Sequence, residues 1–351
     1  MKRTLLHVHP GASTFVVKDR KLLSGNFTVI DLPFVWRAKW QVPFLLLKQF
    51  LHLCTSACKW QAIAVQFSGY HAVLPTLLAR MLGRPCIIIA GGTDCVAFPS
   101  LRYGNFARQP LAWATRVAYR SATHIVPVHA SLVRATNSYR DEDAGDQGIL
   151  AYMPTLRTPI TVVPNGYDAE AWHAGTGQRD IDVITVASGD RRPSTMRLKG
   201  LDMILELARA RPALRFTIIG MEPDPRNPAP PNLTFIPPVP NDRLQGYYQR
   251  SKVYAQLSLS EGFPNALCEA MLCGCVPLVS AVGAMPDIIA GSGAVVRERS
   301  ITDVAAALEE LMKEIGPAQQ VAARERIATN FTEGSRQRQL IDLIDTALAD
   351  K

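Results

Sequence analysis

Short apolar runs bounded by turn residues recur along the chain. In the first half they read TLLHVH (4–9), FTVIDL (27–32), QAIAVQF (61–67), PCIIIAGG (85–92) and THIVPV (123–128). In the second they read DVITVASG (182–189), LRFTIIG (214–220), LTFIPPV (233–239), VYAQLSL (253–259) and VPLVS (276–280). Runs this short and apolar predict strands buried on both faces of a parallel sheet, with helical patterns such as LDMILELARA (201–210) between them. Strand, crossover and strand, repeated in each half, predict an α/β chain of two doubly wound parallel sheets. Such sheets carry ligand groups at the carboxyl ends of their strands. A cleft between the halves is therefore the expected site, and the turn-rich TVVPNGYD (161–168) the expected hinge.

The length of 351 residues suits two domains, 1–160 and 161–332, better than one core. Seven cysteines without a CxxC predict a reduced, cytoplasmic setting. The start, MKRTLLHVHPGAS, breaks its apolar stretch at His7, His9 and Pro10, which predicts a first strand and no signal peptide. The most apolar window, VPFLLLKQFLHLC (42–54), is cut by Lys48 and His52 and is too short to span a bilayer. Charge changes the picture more. Residues 1–160 carry 18 Lys and Arg against 7 Asp and Glu, a net of +11, whereas residues 161–351 carry 20 against 23, a net of −3. An excess confined to one half points to an anionic partner for that half, a nucleic acid or an acidic membrane surface, with a plainly soluble basic face as the alternative. The segment WRAKWQVPFLLLKQFLHLCTSACKW (36–60) sets Trp36, Trp40 and Trp60 among Arg37, Lys39, Lys48 and Lys59, a mixture suited to a lipid–water interface as well as to packing on a sheet. No aromatic RNA-binding run or zinc finger is present, so no nucleic-acid partner is expected.

Two stretches carry candidate chemistry. In SEGFPNALCEAMLCGCVP (260–277), Pro264 is placed to open a helix as its first residue, which leaves the N–H groups of Asn265, Ala266 and Leu267 aimed forward and attractive to an anion. Yet a carboxylate stands on either side, Glu261 before the helix and Glu269 within it; as cap and dipole partners they would be merely structural. In VASGDRRPSTMRLKGLD (186–202) a strand leads through Gly189 and several cations into a helix, the order in which a diphosphate is held. Lys199 and one of Arg191, Arg192 and Arg197 are the candidates, although lysines near helix starts are commonly only solvated.

Together with VVPNGYD, RLKG and the strand ending IIG (218–220), the run SEGFPNALCEAMLCGCVPLVS (260–280) resembles the retaining glycosyltransferases of family 4, which have the GT-B fold of two Rossmann-like domains. The seven residues between Glu261 and Glu269 match that family's acidic pair. The resemblance implies a donor that is a nucleotide-diphosphate sugar. Glu269 accepts from the ribose diol and Glu261 from the sugar hydroxyls, since an ionised carboxylate takes two hydroxyl hydrogens side by side. Gly262, Phe263, Asn265, Ala266 and Leu267 bring backbone to the diphosphate and sugar, Lys199 and Arg192 offset the charge of the leaving diphosphate, and Gly189, Arg197 and Val239 complete the donor site.

The helix within NFTEGSRQRQLIDLIDTAL (330–348) is expected to cross back to the first domain, which would then include about 333–351. On the acceptor side, Asp94 in IIIAGGTDC and His71 in FSGYHAVLP are the candidates to face the transferred sugar, His71 against a packing or capping alternative. The family's glycine-rich first loop is reduced here to Gly11 in HVHPGAS. No metal is expected: His7 with His9, Cys273 with Cys275, and the strings DID (180–182) and DED (141–143) lack suitable spacing or stand apart from the acidic pair. No cofactor is expected either. The expected acceptor is a saccharide or a lipid-linked precursor. The expected location is cytoplasmic, peripheral on the inner face of the plasma membrane. A sugar-nucleotide epimerase of the same fold and a nucleic-acid-binding protein are the alternatives.

Overall fold

The structure is a computed structural model that describes residues 2–139, 142–143, 145–223 and 228–350; the string at 141–143 and the loop after Gly220 lie partly outside them. The chain divides into two compact units. One comprises Met1–Ala135, Asp146–Gly166 and Glu333–Lys351; the other comprises Thr136–Gly145 and Tyr167–Thr332.

In the first unit, β1 (Thr4–His9), α1 (Thr14–Ser24), β2 (Thr28–Pro33), α2 (Val42–Ser56), β3 (Ala62–Gln66), α3 (Tyr70–Met81), β4 (Cys86–Ala90), α4 (Leu111–Ser121) and β5 (His124–Pro127) alternate. The strands form one parallel sheet in the order β2-β1-β3-β4-β5. From β1 the chain steps outward to β2 and then jumps back past β1 to β3. Because such crossovers are right-handed, α1 covers one face of the sheet and α2, α3 and α4 the other. β3 and β4 are buried along their whole length, as runs without alternation require. Next along the chain come β6 (Ala135–Asn137) and β7 (Gly145–Gln147), which pair with each other across the boundary between the units, and α5 (Ile149–Tyr152) in the first unit; elements of three or four residues give too little periodicity to be read in advance.

The second unit holds β8 (Ile181–Val186), α6 (Pro193–Leu198), α7 (Leu201–Ala210), β9 (Phe216–Ile219), β10 (Leu233–Ile236), α8 (Asn241–Gln249), β11 (Ser251–Gln256), α9 (Asn265–Leu272), β12 (Val276–Ser280), α10 (Met285–Ile289), β13 (Ala294–Val296), α11 (Ile301–Glu314) and α12 (Pro317–Asn330). Its parallel sheet runs β10-β9-β8-β11-β12-β13. The direction of winding reverses between β8 and β11. Reversal of this kind leaves a crevice at the carboxyl ends of the two strands.

The last helix, α13 (Glu333–Ala349), belongs to the first unit and packs beside α1. Leu340 and Ile344 enter a core with Leu5, Leu23, Ile87 and Val126. Arg336, buried, makes a two-pronged pair with Asp19 at 2.7 Å on both prongs and donates to the carbonyls of Val163 and Pro164. Among the described residues, no helix is long and apolar enough to cross a membrane.

Candidate functional site

In the second unit, three loops meet at the carboxyl ends of β8, β11 and β12. The N–H of Leu259 donates to the carbonyl of Leu198 at 2.9 Å, tying the chain after β11 to the end of α6. Gly200 adopts a left-handed φ of 67°, and a Cβ there would lie 2.1 Å from the carbonyl oxygen of Leu257, so glycine alone permits the approach. Gly283, after β12, stands likewise against the carbonyl of Glu261. These backbone contacts bring Lys199 to Glu261: its ammonium donates to Oε1 at 3.2 Å, with Glu261 mostly buried and Lys199 partly exposed.

The chain then turns through Gly262, Phe263 and Pro264 into α9. Pro264 is the N-cap, its backbone still extended, so the helix begins at Asn265 and not at the proline itself. The first-turn N–H groups of Asn265, Ala266 and Leu267 remain at the helix start, with Asn265 and Ala266 half-buried. At the other end two arginines take the carbonyls: Arg179 bonds Cys273 at 2.7 Å, and Arg324 bonds Leu272 and, at 2.7 Å, Ala169. Cations at the carboxyl end complement the helix dipole, while the amino end keeps its positive potential for a ligand.

Glu269 is buried one turn below Asn265 on the same face. Tyr254, in the middle of β11, senses both acids: burial pushes its hydroxyl pKa well up, and the charges of Glu261 and Glu269 push it further. Tyr254 carries no mark in the sequence beyond its place in the short apolar run VYAQLSL.

Several expected donor contacts are placed differently. The ring of Phe263 is buried between Tyr167 (centroids 6.3 Å) and Phe331 (5.2 Å), so only its backbone is available to a ligand. The amide oxygen of Asn265 accepts from the Tyr167 hydroxyl at 2.8 Å. Arg192 is exposed and donates to Asp190 at 2.7 Å, holding that carboxyl down at about 2; it is a surface partner of its own loop. Its neighbour Arg191 lies 4.1 Å above the Phe235 ring, with Nε and Nη2 buried and without a hydrogen-bond partner. Adjacent arginines in a loop carry no periodicity, so sequence could not choose between them. Gly189 has φ 147° in the loop after β8, Arg197 lies in the last turn of α6, and Val239 is half-buried in the loop after β10.

The first unit builds a second site at its own reversal, between β1 and β3. Pro10, Trp36, Phe67, Gly69, His71 and Asp94 line a pocket of about 250 Å³, which brings the two acceptor-side candidates together. Phe67 sits at φ 62°, a strained conformation for a side chain of that size, and Gly91 leaves room for its ring. Asp94 is tied firmly into this wall. Its buried carboxylate accepts from the N–H groups of Ser68 (2.9 Å), Gly91 (3.2 Å) and Gly92 (3.0 Å) and from the Tyr119 hydroxyl (3.0 Å). Four donors hold this carboxylate in place, so it organises the wall of the pocket that it lines. His71 is buried, with Nε2 donating to the Gln66 carbonyl at 2.9 Å, and burial lowers its pKa, which keeps the ring neutral.

In the same unit the parallel register sets His7 opposite Asp31, and with His9 they form a His–His–Asp group, its histidines buried and Asp31 partly exposed, that spacing along one strand did not reveal. Arg20 already pairs with Asp31 there, and burial lowers the pKa of His7. A cation would compete with the guanidinium.

Residues 187–314 match the model of the family described as Glycosyl transferases group 1. D-inositol 3-phosphate glycosyltransferase of Mycobacteroides abscessus is 29% identical over 198 residues, 52% of this chain and 44% of its own length. The chain thus matches less than half of that curated relative. Among solved structures, sucrose-phosphate synthase of Thermosynechococcus elongatus superposes with a TM-score of 0.74 over the whole of both chains at 13% identity. The catalytic domain of starch synthase IV of Arabidopsis thaliana, bound to ADP and acarbose, superposes with 0.73 over 99% of this chain and 100% of its own at 10% identity. The fold is GT-B, two Rossmann-like units, as the sequence resemblance implied.

Proposed function

We propose that this GT-B chain is a retaining glycosyltransferase of the family 4 kind, moving a hexosyl group from a nucleotide-diphosphate sugar to an acceptor hydroxyl. One observation carries the reading: a cation–carboxylate pair, Lys199 with Glu261, stands beside the open amino end of α9, while a second carboxylate, Glu269, lies one turn in on the same helix. A ligand anionic at its centre and rich in hydroxyls at both ends satisfies all three. In this reading the diphosphate takes the first-turn N–H groups, Lys199 and the unpaired nitrogens of Arg191, which replaces Arg192 in that role. Glu269 accepts from the ribose diol and Glu261 orients the sugar. As the bond from the sugar carbon to the diphosphate breaks, the acceptor oxygen bonds to that carbon on the same face, and the hydroxyl proton passes to the leaving diphosphate. Lys199, Arg191 and the helix dipole stabilise the charge that develops there, so the proposal needs no metal. The first-unit pocket around His71 takes the acceptor. The relatives support this reading, one by a name that states glycosyl transfer and one by its bound ADP.

The test is an incubation of the protein with UDP-, GDP- and ADP-sugars and mixed saccharide acceptors, with and without EDTA. Free nucleoside diphosphate and a new glycoside of retained configuration should appear together in both. Isomerised sugar nucleotide without a glycoside would mark an epimerase instead, and activity abolished by EDTA and restored by Mg²⁺ would overturn the metal-free step.

A further inference from the structure

Helix α2 is built inside out. Its inward side is anchored by Leu53, Ser56 and Gln49, which donates to the carbonyl of His71 at 2.9 Å. Outward, Phe44, Leu47 and Leu51 follow one another at helical spacing and are 67%, 58% and 54% exposed, with Phe50 exposed beside them. Trp40, 70% exposed, meets Phe44 edge to face with centroids 6.2 Å apart. A helix on a sheet ordinarily turns polar residues to water; here the one Lys or Arg of α2, Lys48, stands exposed within an apolar outer face.

Charge selects what covers this face. Residues 32–135 contain eleven Lys and Arg and a single acid, Asp94, which is buried. Arg37, Lys48 and Lys59 are exposed around the apolar face. A second copy of the chain would set these cations against each other, whereas an anionic lipid surface admits the aromatic and aliphatic groups and meets the cations with phosphates. Trp36 ties the face to the first-unit pocket, because it is exposed near the start of the segment and also lines the pocket with His71.

We propose that the outward face of residues 35–51 docks the protein on anionic phospholipid bilayers and delivers a lipid-linked acceptor to the pocket beside Trp36. Docking stands on the exposure and charge of this segment; the acceptor class rests on the glycosyltransferase reading. The experiment is sedimentation of the whole protein, without nucleotide, with vesicles of phosphatidylglycerol and phosphatidylcholine or of phosphatidylcholine alone. The wild type should pellet with the anionic vesicles at low salt, stay in solution with the neutral ones, and be released by high salt. Phe44→Ser with Leu47→Ser, and separately Arg37→Glu with Lys48→Glu, should each weaken partition at least about tenfold. Both variants should keep the wild-type melting temperature and nucleoside diphosphate affinity, and Val321→Ser, an exposed apolar site in the other unit, should pellet as wild type. A wild type that ignores anionic vesicles, equal binding to both vesicles, or double variants that still pellet would overturn docking. So would a lipid-free dimer that Phe44→Ser with Leu47→Ser dissolves, since it would give the face to a second copy. If the protein docks yet glycosylates only soluble saccharides, the acceptor half fails alone; if it turns over no donor at all, the vesicle result still stands or falls by itself.

Discussion

The two units share one plan and put opposite things into it. Each is a parallel sheet whose winding reverses once, and in each the candidate site lies at that reversal. In the second unit the reversal gathers charge: Lys199 against Glu261, and Glu269 within α9. In the first unit the charges at the reversal are already held, Asp94 by four donors and Asp19 by Arg336, and what remains open is an aromatic pocket with a neutral histidine. Topology thus fixes where a site can form, while the polar groups brought to it decide what it can hold. A diphosphate suits the second pattern, and a neutral saccharide end suits the first.

The largest effect should separate the units by stability. Arg336→Ala strips a buried carboxylate of its partner and should cost about 3–5 kcal/mol. Urea unfolding should show the loss in the first unit, with nucleotide binding by the second retained in mild urea. Loss of both together would mean the units do not keep separate stabilities.

Within the second unit, the two adjacent arginines should differ sharply. Arg191→Ala should weaken nucleoside diphosphate binding by about 1.5–3 kcal/mol, the worth of a charge-assisted hydrogen bond, whereas Arg192→Ala should leave it within about twofold. Equal effects, measured by calorimetric titration, would break the assignment of Arg191 to the phosphate.

A smaller, graded difference should come with pH. His7 and His71 of the first unit have pKa values lowered from the ordinary 6.5, chiefly by burial. Because the unfolded chain then binds more protons, their contribution is complete above pH 6.5 and is lost as pH falls through the lower folded values. The second unit's single histidine, His173, is exposed. Melting followed from pH 7.5 to 5 should therefore show the first unit weakening first, and His71→Asn should flatten that slope. A slope unchanged in the variant would assign it to other groups.

Much of this was legible in the sequence, for reasons the structure makes plain. Buried parallel strands are apolar without alternation, so VPLVS and TLLHVH match β12 and β1 residue for residue. Three-residue strands such as β13 carry too little pattern to be seen. The acidic pair was readable because both glutamates lie within one turn-and-helix unit, where spacing fixes geometry. The setting of Asp94 was not, since its donors Ser68, Gly91, Gly92 and Tyr119 come from separate loops and a helix, and only the folded chain brings them together on it. The aromatic and cationic segment 36–60 was visible as composition. Which of its faces met water depended on the burial of Gln49 and Leu53 and the exposure of Phe44 and Leu47.

The central claim is that the amino end of α9 holds a diphosphate between two acids, and calorimetric titration of UDP, GDP and ADP, each against its nucleoside, tests it most directly. The wild type should prefer one diphosphate strongly over its nucleoside. Lys199→Ala should erase most of that preference, and Glu269→Ala should weaken the diphosphate and its nucleoside alike by about 1.5–3 kcal/mol. Wild-type affinity in Glu269→Ala, or equal losses for diphosphate and nucleoside in Lys199→Ala, would contradict it.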